Sequence, residues 1–172
     1  GDGERNGMSG FFELTPGTDH TMGIQATVSG GHRNWAQAES SSISGGRYNE
    51  ATGQSASVSG GVHNHAQGYW SSISGGENNQ TTDLWASISG GGSNRAAGAR
   101  SSVSGGYWNR ANGDYSSVSG GYRNTAESDY SSISGGYKNT ASGNYSSISG
   151  GNTRSVSGAY DWRAGADYFS DD

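Results

Sequence analysis

The chain repeats itself every 15 residues, and this period constrains its fold more than any other feature. Each repeat opens with an aliphatic residue followed by Ser-Gly-Gly, and nine repeats follow one another without an insertion. The aliphatic residues, which we number position 0 of each repeat, are Val28, Ile43, Val58, Ile73, Ile88, Val103, Val118, Ile133 and Ile148. A fixed period without insertions is typical of a solenoid, in which each repeat is one coil and packs only on its neighbours.

Other positions of the repeat are nearly as strict. Positions +2 and +3 are Gly in all nine repeats, position +8 is almost always Ala, and position +10 is mostly Gly. Position +6 is Asn in eight repeats: Asn34, Asn49, Asn64, Asn79, Asn94, Asn109, Asn124 and Asn139. Identical Asn side chains can hydrogen-bond along a stack of strands. We therefore interpret this column as a structural Asn ladder in which each amide bonds the next, rather than as a ligand site.

The repeat predicts β-structure. Nine Gly-Gly pairs exclude a helical solenoid because Gly has a low helix propensity. The run Ser-Ser-Ile-Ser alternates sides as a short strand does, and Gly-Gly permits positive φ and a tight reversal. The predicted fold is an all-β parallel β-solenoid of nine 15-residue coils with terminal caps. Each coil would hold two or three short strands around one inward aliphatic side chain. The narrow core would also require the small residues at +2 and +8.

Composition excludes several classes of protein. Gly and Ser supply 64 of 172 residues, whereas Leu, Ile, Val and Phe supply 17, too few for the thick core of a mixed globular domain. The net charge is −5 with only 10 Lys and Arg, so we expect no nucleic-acid partner. No stretch has the roughly 18–20 apolar residues that span a bilayer, so we expect no membrane insertion.

Three segments are predicted. Residues 1–24 would be an N-terminal cap or assembly segment, with Phe11 and Phe12 as candidate assembly residues. Residues 25–151 would form the β-solenoid. Residues 152–172 would be a degenerate last coil and C-terminal cap, in which Trp162 helps to cover the final open core.

The sequence predicts a protein that is not an enzyme. Its Ser residues belong to columns, and no His or carboxylate recurs beside them, so no catalytic site is expected. No column is acidic, which argues against calcium between coils, and His63 and His65 lack a third ligand for a transition metal. We therefore expect no cofactor and no metal.

Aromatic residues fall into two main columns that allow two interpretations. Position −3 holds Trp70, Trp85, Tyr115, Tyr130, Tyr145 and Tyr160, and position +4 holds Tyr107, Tyr122 and Tyr137. The rings could form a stacked ladder that stiffens the rod or fills the space between protomers. Alternatively, they could form an exposed stripe that binds a glycan or another surface.

The columns resemble a known repeat. The pattern read from Ile133, Gly136, Asn139, Ala141 and Gly143 resembles the YadA-like head repeat of trimeric autotransporter adhesins, and similar repeats occur in phage tail fibres and bacterial surface proteins. The resemblance covers residues 25–159. It implies a left-handed parallel β-roll with three chains side by side, outside a cell or on a virion. It also implies passive adhesion to a host, cell-surface or glycan ligand, without enzyme activity.

The function expected from these observations is a non-enzymatic extracellular fibre or adhesin module that presents a rigid rod as a homo-oligomer. One alternative is a subunit of an extracellular structural filament that is joined through residues 1–24. A less favoured alternative is ice binding, because Ser at −1 and +1 flank the inward residue and would form two outward hydroxyl rows. Ice-binding solenoids present a similar lattice, usually with Thr.

Overall fold

The computed structural model describes residues 20–164, which form an all-β parallel β-solenoid with no helix. The chain winds through about nine coils of about 15 residues, so the predicted fold class is confirmed. No helix within these residues could therefore cross a bilayer.

Twenty strands of two residues each form two parallel ten-stranded sheets. The odd sheet contains β1 (His20–Thr21), β3 (Trp35–Ala36), β5 (Glu50–Ala51), β7 (His65–Ala66), β9 (Gln80–Thr81), β11 (Arg95–Ala96), β13 (Arg110–Ala111), β15 (Thr125–Ala126), β17 (Thr140–Ala141) and β19 (Ser155–Val156). The even sheet contains β2 (Thr27–Val28), β4 (Ser42–Ile43), β6 (Ser57–Val58), β8 (Ser72–Ile73), β10 (Ser87–Ile88), β12 (Ser102–Val103), β14 (Ser117–Val118), β16 (Ser132–Ile133), β18 (Ser147–Ile148) and β20 (Trp162–Arg163).

Equivalent residues of successive coils lie directly opposite one another. Ile88, for example, pairs with Ile73 on one side and with Val103 on the other. A third line of contact consists of single parallel bridges at position +4, from His32–Arg47 to Tyr137–Asn152. Each coil is thus joined to the next along two strands and one bridge, and the residue at each position of the repeat stacks on the residue at the same position of the next coil.

The coil turns at two positions that are rarely Gly. Residues at −3 and +5 have φ of 53–64°, in the left-handed region that most side chains avoid. Their N–H groups point to the preceding coil: Trp85 N donates to Tyr69 O (2.9 Å) and Trp108 N donates to Gly92 O (3.0 Å). Strand residues donate to the following coil instead. These backbone hydrogen bonds hold each corner in an unfavourable conformation that was predicted from the sequence only for Gly.

The two Gly of each pair have different roles. Gly106 at +3 has φ +80°, and a Cβ there would lie 2.3 Å from the carbonyl oxygen of Gly121. At Gly105 in position +2, a Cβ would meet nothing within 4 Å. The expectation that a narrow core requires Gly at +2 was therefore wrong, because this position faces away from the core.

The core is a narrow column of inward side chains. Ile43 and its equivalents through Ile148 are 1% exposed, and the Ala residues at +8 are fully buried. Val28, in the first described coil, is only partly buried and packs against this column. Each large aliphatic side chain contributes about 1.5–3 kcal/mol by its burial, which one isolated coil could not achieve.

Position −2 adds buried hydroxyl groups to this core. In one coil, Thr81 Oγ1 donates to Ser71 Oγ at 2.9 Å. In three others, the buried hydroxyls of Ser101, Ser116 and Ser146 have no hydrogen-bond partner. Ser41 and Ser131 donate instead to the carbonyl oxygens of Ala38 (2.7 Å) and Ser128 (2.6 Å). Ser71 gains its partner because Thr81 replaces the usual Ala at position +8.

Strands of the two parallel sheets extend into both predicted terminal segments. Strand β1 lies within residues 1–24, and strands β19 and β20 lie within 152–172. Trp162 occupies the outward row opposite Ser147, is 67% exposed and donates from Nε1 to Ser149 Oγ at 3.1 Å. The expectation that Trp162 covers the open core was wrong, because its place in β20 is an outward one. Phe11 and Phe12 lie outside the described residues.

Candidate functional site

The Asn ladder lines the inside of one corner and uses all the polar atoms of its amides. Asn64 Oδ1 accepts from the backbone N–H of Asn79 at 3.0 Å. Its Nδ2 donates to the carbonyl oxygens of Gly60 (3.0 Å) and Gly76 (2.9 Å). The same three contacts recur along the column, and all eight side chains are buried.

These contacts differ from the predicted ladder in one respect. The amides bond backbone groups of their own coil and of the next coil rather than the next amide. In the tight turn at +2 to +6, the carbonyl oxygen at +2 and the N–H at +6 have no backbone partner, and Asn side chains supply one. The carbonyl oxygen at +3 accepts from the Asn side chain and also from a backbone N–H, as Gly76 O does from Val62. A group with every donor and acceptor engaged has nothing left for a ligand.

The aromatic column at −3 forms a continuous stack along one corner, which we call the corner stack. Its members are Trp70, Trp85, Arg100, Tyr115, Tyr130, Tyr145 and Tyr160. Neighbouring ring centroids lie 4.6–5.5 Å apart, with interplanar angles of 5–21°. Arg100 continues the stack where a ring is missing: its Cζ lies 4.3 Å from the centroid of Trp85 and 5.2 Å from that of Tyr115.

This geometry determines what the corner stack can bind. Its rings are about half exposed, but the faces of the inner rings cover one another. Ring edges and phenol groups therefore face the solvent. The arrangement is that of a stiffening ladder, and a sugar that stacks on a ring face would find one at the ends of the stack, such as Tyr160, which is 76% exposed.

Close packing also affects the phenols. Desolvation raises the pKa of Tyr130, and the neighbouring phenols of Tyr145 and Tyr115 raise it further, as do the carboxylates of Asp129 and Asp114. The neutral phenol is therefore the form that the stack favours.

A second, shorter stack lies at position +4. The rings of Tyr107 and Tyr122 are 6.1 Å apart, and those of Tyr122 and Tyr137 are 5.5 Å apart. The stack ends where Gly92 replaces the aromatic residue. A Cβ on Gly92 would lie 2.4 Å from the ring of Tyr107, so this ring covers the glycine backbone.

One face of the solenoid carries no large side chain over most of its length. This open face consists of the Ser rows at −1 and +1 and the Gly row at +2. The Ser residues at +1, such as Ser104, are exposed, whereas those at −1, such as Ser102, are half-buried. The coil leaves space for a side chain beside most +2 glycines. Packing within the chain therefore does not explain why this face lacks large side chains.

Among the described residues, the histidines do not form a metal site. The ring of His63 stacks on Tyr48 with centroids 4.7 Å apart, and His65 Nε2 lies 3.3 Å from Glu50 Oε2. Within residues 20–164, no group of three or more His, Cys, Asp or Glu side chains could hold a metal ion.

The outward position +7 is not among the positions predicted from the sequence to carry function. There Arg95 and Arg110 lie directly opposite each other in strands β11 and β13, and both are exposed. The signal was present as Arg at +7 in two consecutive repeats, but two residues in a variable column did not stand out beside the aromatic columns.

Comparison with known proteins does not assign the chain to a family. No family model matches it, and no match is found among curated proteins. The candidate surfaces of residues 20–164 are the Asn ladder, two aromatic stacks, the open face, and Arg95 and Arg110, which lie opposite each other.

Proposed function

We propose that this chain is a non-enzymatic fibre or adhesin module that acts outside the cell, as a rigid oligomeric rod for surface attachment. The observation that carries the proposal is the unbroken axial repeat of the solenoid. Ten strands in each sheet, about 4.8 Å apart, give a rod of about 43 Å whose surface recurs at every coil. A periodic rigid surface is suited to many weak contacts that act together.

The open face supports oligomerisation. Large side chains on the other surfaces are tolerated at most outward positions, whereas position +2 stays Gly although a Cβ at Gly105 would meet nothing. A second chain that approaches this backbone closely would account for the small residues. The resemblance to adhesin head repeats favours three chains.

The first test is the mass in solution, measured by light scattering over a range of concentrations. We expect a mass of three chains. A variant with Lys at Gly90, Gly105 and Gly120 should be a monomer with unchanged circular dichroism. A control with Lys at Gln80, Thr125 and Thr140, on the odd sheet, should keep the mass of the original chain. A monomeric original chain would contradict the proposal.

Attachment requires its own measurement. Fluorescent rods should bind immobilised cell-surface or matrix preparations saturably, and unlabelled rods should compete. If the mass instead grows without limit as concentration rises, the chain is a filament subunit. In that case, the double variant Phe11→Ser with Phe12→Ser should have a mass that does not change with concentration.

A second candidate function is ice binding, which the regular Ser rows of the open face favour. Ser offers hydroxyl groups without the methyl group that contacts ordered water. Thermal hysteresis at high protein concentration would support this candidate, and its absence would remove it.

A further inference from the structure

Four cations lie along one corner and the adjoining face of the odd sheet, and we call them the basic strip. Its members are Arg95, Arg110, Arg123 and Lys138. In residues 89–148, the outward positions +4, +5, +7 and +9 carry these four cations and a single carboxylate, Glu127. The strip is locally positive although the whole chain has a net charge of −5.

The cations of the basic strip lack anionic partners. None of the four lies within 4 Å of a carboxylate of the described residues, and Arg95 and Arg110 face each other in register. Like charges at neighbouring positions of two strands repel each other. An anion between the two guanidinium groups would convert this repulsion into two charge-assisted hydrogen-bonding contacts.

Aromatic groups accompany the cations. The Arg123 guanidinium lies 5.4 Å from the ring centroid of Tyr122, and Lys138 Nζ lies 5.0 Å from that of Tyr137. Trp108 lies at the corner beside Arg110, is 43% exposed and contacts Tyr107 edge to face. Among the described residues, no ring stacks parallel to Trp108.

We propose that the basic strip binds an acidic polysaccharide that runs parallel to the rod axis. Its carboxylate or sulfate groups pair with the four cations, and a sugar ring packs on Trp108. This inference rests on the proposed attachment function and names the chemistry of one partner. Adjacent coils lie about 4.8 Å apart, which is comparable to the length of one sugar unit, so successive sugars meet successive coils.

The same geometry disfavours other linear polyanions. Single-stranded nucleic acid binds through rows of exposed ring faces on which successive bases stack. Here the rings at +4 stack on each other, and Trp108 offers one platform. A flexible acidic peptide would lose more conformational entropy than a stiff polysaccharide when it aligns with a straight rod.

The test is titration of the full chain with a short oligogalacturonate, followed by calorimetry. Binding should weaken as salt rises, since the contacts are electrostatic. The methyl ester of the same oligosaccharide, which has the same length but no charge, should bind at least about tenfold more weakly. The double variant Arg95→Gln with Arg110→Gln should also bind the charged oligosaccharide at least about tenfold more weakly than the original chain does.

The matched control is Arg33→Gln with Arg47→Gln, which removes two charges at the far end of the same corner. In this control variant, the affinity for the oligogalacturonate should change by less than about twofold. Equal losses in both double variants would overturn the inference, because only net charge would then matter. Equal binding of the methyl ester would overturn it too. Tighter binding of oligodeoxythymidylate, with the same dependence on Arg95 and Arg110, would replace it with a nucleic-acid partner.

The outcomes separate this inference from the proposed function. If the rods attach to surfaces but do not bind the oligogalacturonate, the inference fails and the attachment function stands. If the rods bind the oligosaccharide but do not attach to any surface preparation, the proposed function fails and the basic strip remains a binding site.

Discussion

At the scale of single residues, buried polar groups determine how well one coil joins the next. Asn79 satisfies two carbonyl oxygens, of Gly75 and Gly91, and the N–H of Asn94, each at 3.0 Å. A buried group that loses its only partner costs about 1–3 kcal/mol. The Asn column therefore stabilises the corner in a way that an apolar residue of similar size could not.

Asn79→Ala is expected to lower the free energy of unfolding by about 2 kcal/mol or more, because the N–H of Asn94 and the carbonyl oxygen of Gly75 lose their partner, whereas the carbonyl oxygen of Gly91 keeps the N–H of Glu77. Chemical denaturation followed by circular dichroism measures this change. Asn112→Ala, at an exposed position of the odd sheet, should change stability by less than about 0.5 kcal/mol. Equal effects of the two substitutions would show that the amide contacts do not stabilise the coil.

The buried serines allow a stabilising prediction. Ser101 has no partner, whereas Ser71 accepts a hydrogen bond from Thr81. Ala111→Thr should give Ser101 the same partner and stabilise the fold by about 1 kcal/mol. Val103 in this coil is smaller than Ile73 and leaves room for the added atoms. In a Ser101→Ala background the same change should destabilise, and a double-mutant cycle measures the difference.

At the scale of the structural element, the corner that follows each even-numbered strand from β2 to β18 depends on one glycine of the Gly-Gly pair. A side chain at Gly106 would be strained by φ +80° and would clash with the backbone of Gly121. Gly105 has neither constraint. The turn therefore distinguishes two adjacent glycines that are identical in the sequence pattern.

Gly106→Ala is expected to destabilise the fold by more than about 2 kcal/mol, because a backbone clash adds to the cost of positive φ. Gly105→Ala should leave thermal stability nearly unchanged. Parallel thermal melts of the two variants make the comparison. Similar losses of stability would show that position +2 is constrained within the chain.

The corner stack predicts an alkaline limit of stability. The unfolded phenol ionises near pH 10, whereas the folded pKa of Tyr130 is raised, so the folded state binds this proton more tightly. The contribution of this phenol to the free energy of unfolding is complete below pH of about 10, and it is lost as pH rises through the folded pKa.

Thermal melts between neutral and strongly alkaline pH should show this loss, and phenolate absorbance should show the late ionisation. Tyr130→Phe keeps the ring and removes the ionising group, so its stability should fall less steeply above pH of about 10. An unchanged pH dependence in Tyr130→Phe would contradict the assignment.

At the scale of the whole molecule, stability is close to a sum over coils and the contacts between neighbours. Residues 44–58 are one complete period, and their removal would join Ile43 to Ser59 in the original register. Such a deletion keeps every inward residue inward.

Deletion of residues 44–58 should give a folded rod that is shorter by about 4.8 Å, with a modest loss of stability. Deletion of residues 44–51 removes half a coil and should disrupt folding at that point, because it breaks the two-sheet pairing. Small-angle scattering and circular dichroism measure both outcomes. Two equally folded products would show that coil register is not what specifies the rod.

The period made the solenoid, its inward column and the position of the Asn residues predictable, because each follows from side-chain alternation and spacing. The corners were not predictable in the same way. Trp85 and Trp108 have positive φ because backbone hydrogen bonds to the preceding coil hold them there, and no property of a tryptophan indicates this. The pairing of Arg95 with Arg110 also needed the strand register before its charge could be interpreted.

The direction of the backbone hydrogen bonds has a mechanical consequence. Ser72 N–H to Ala86 O and its equivalents lie along the rod axis and join each coil only to its neighbours. A pull on the two ends therefore loads the coil boundaries in series, and the weakest boundary opens first. Each opened coil releases 15 residues, or up to about 50 Å of extended chain. Under tension the stiff rod becomes a long tether that lengthens stepwise and dissipates work at each step.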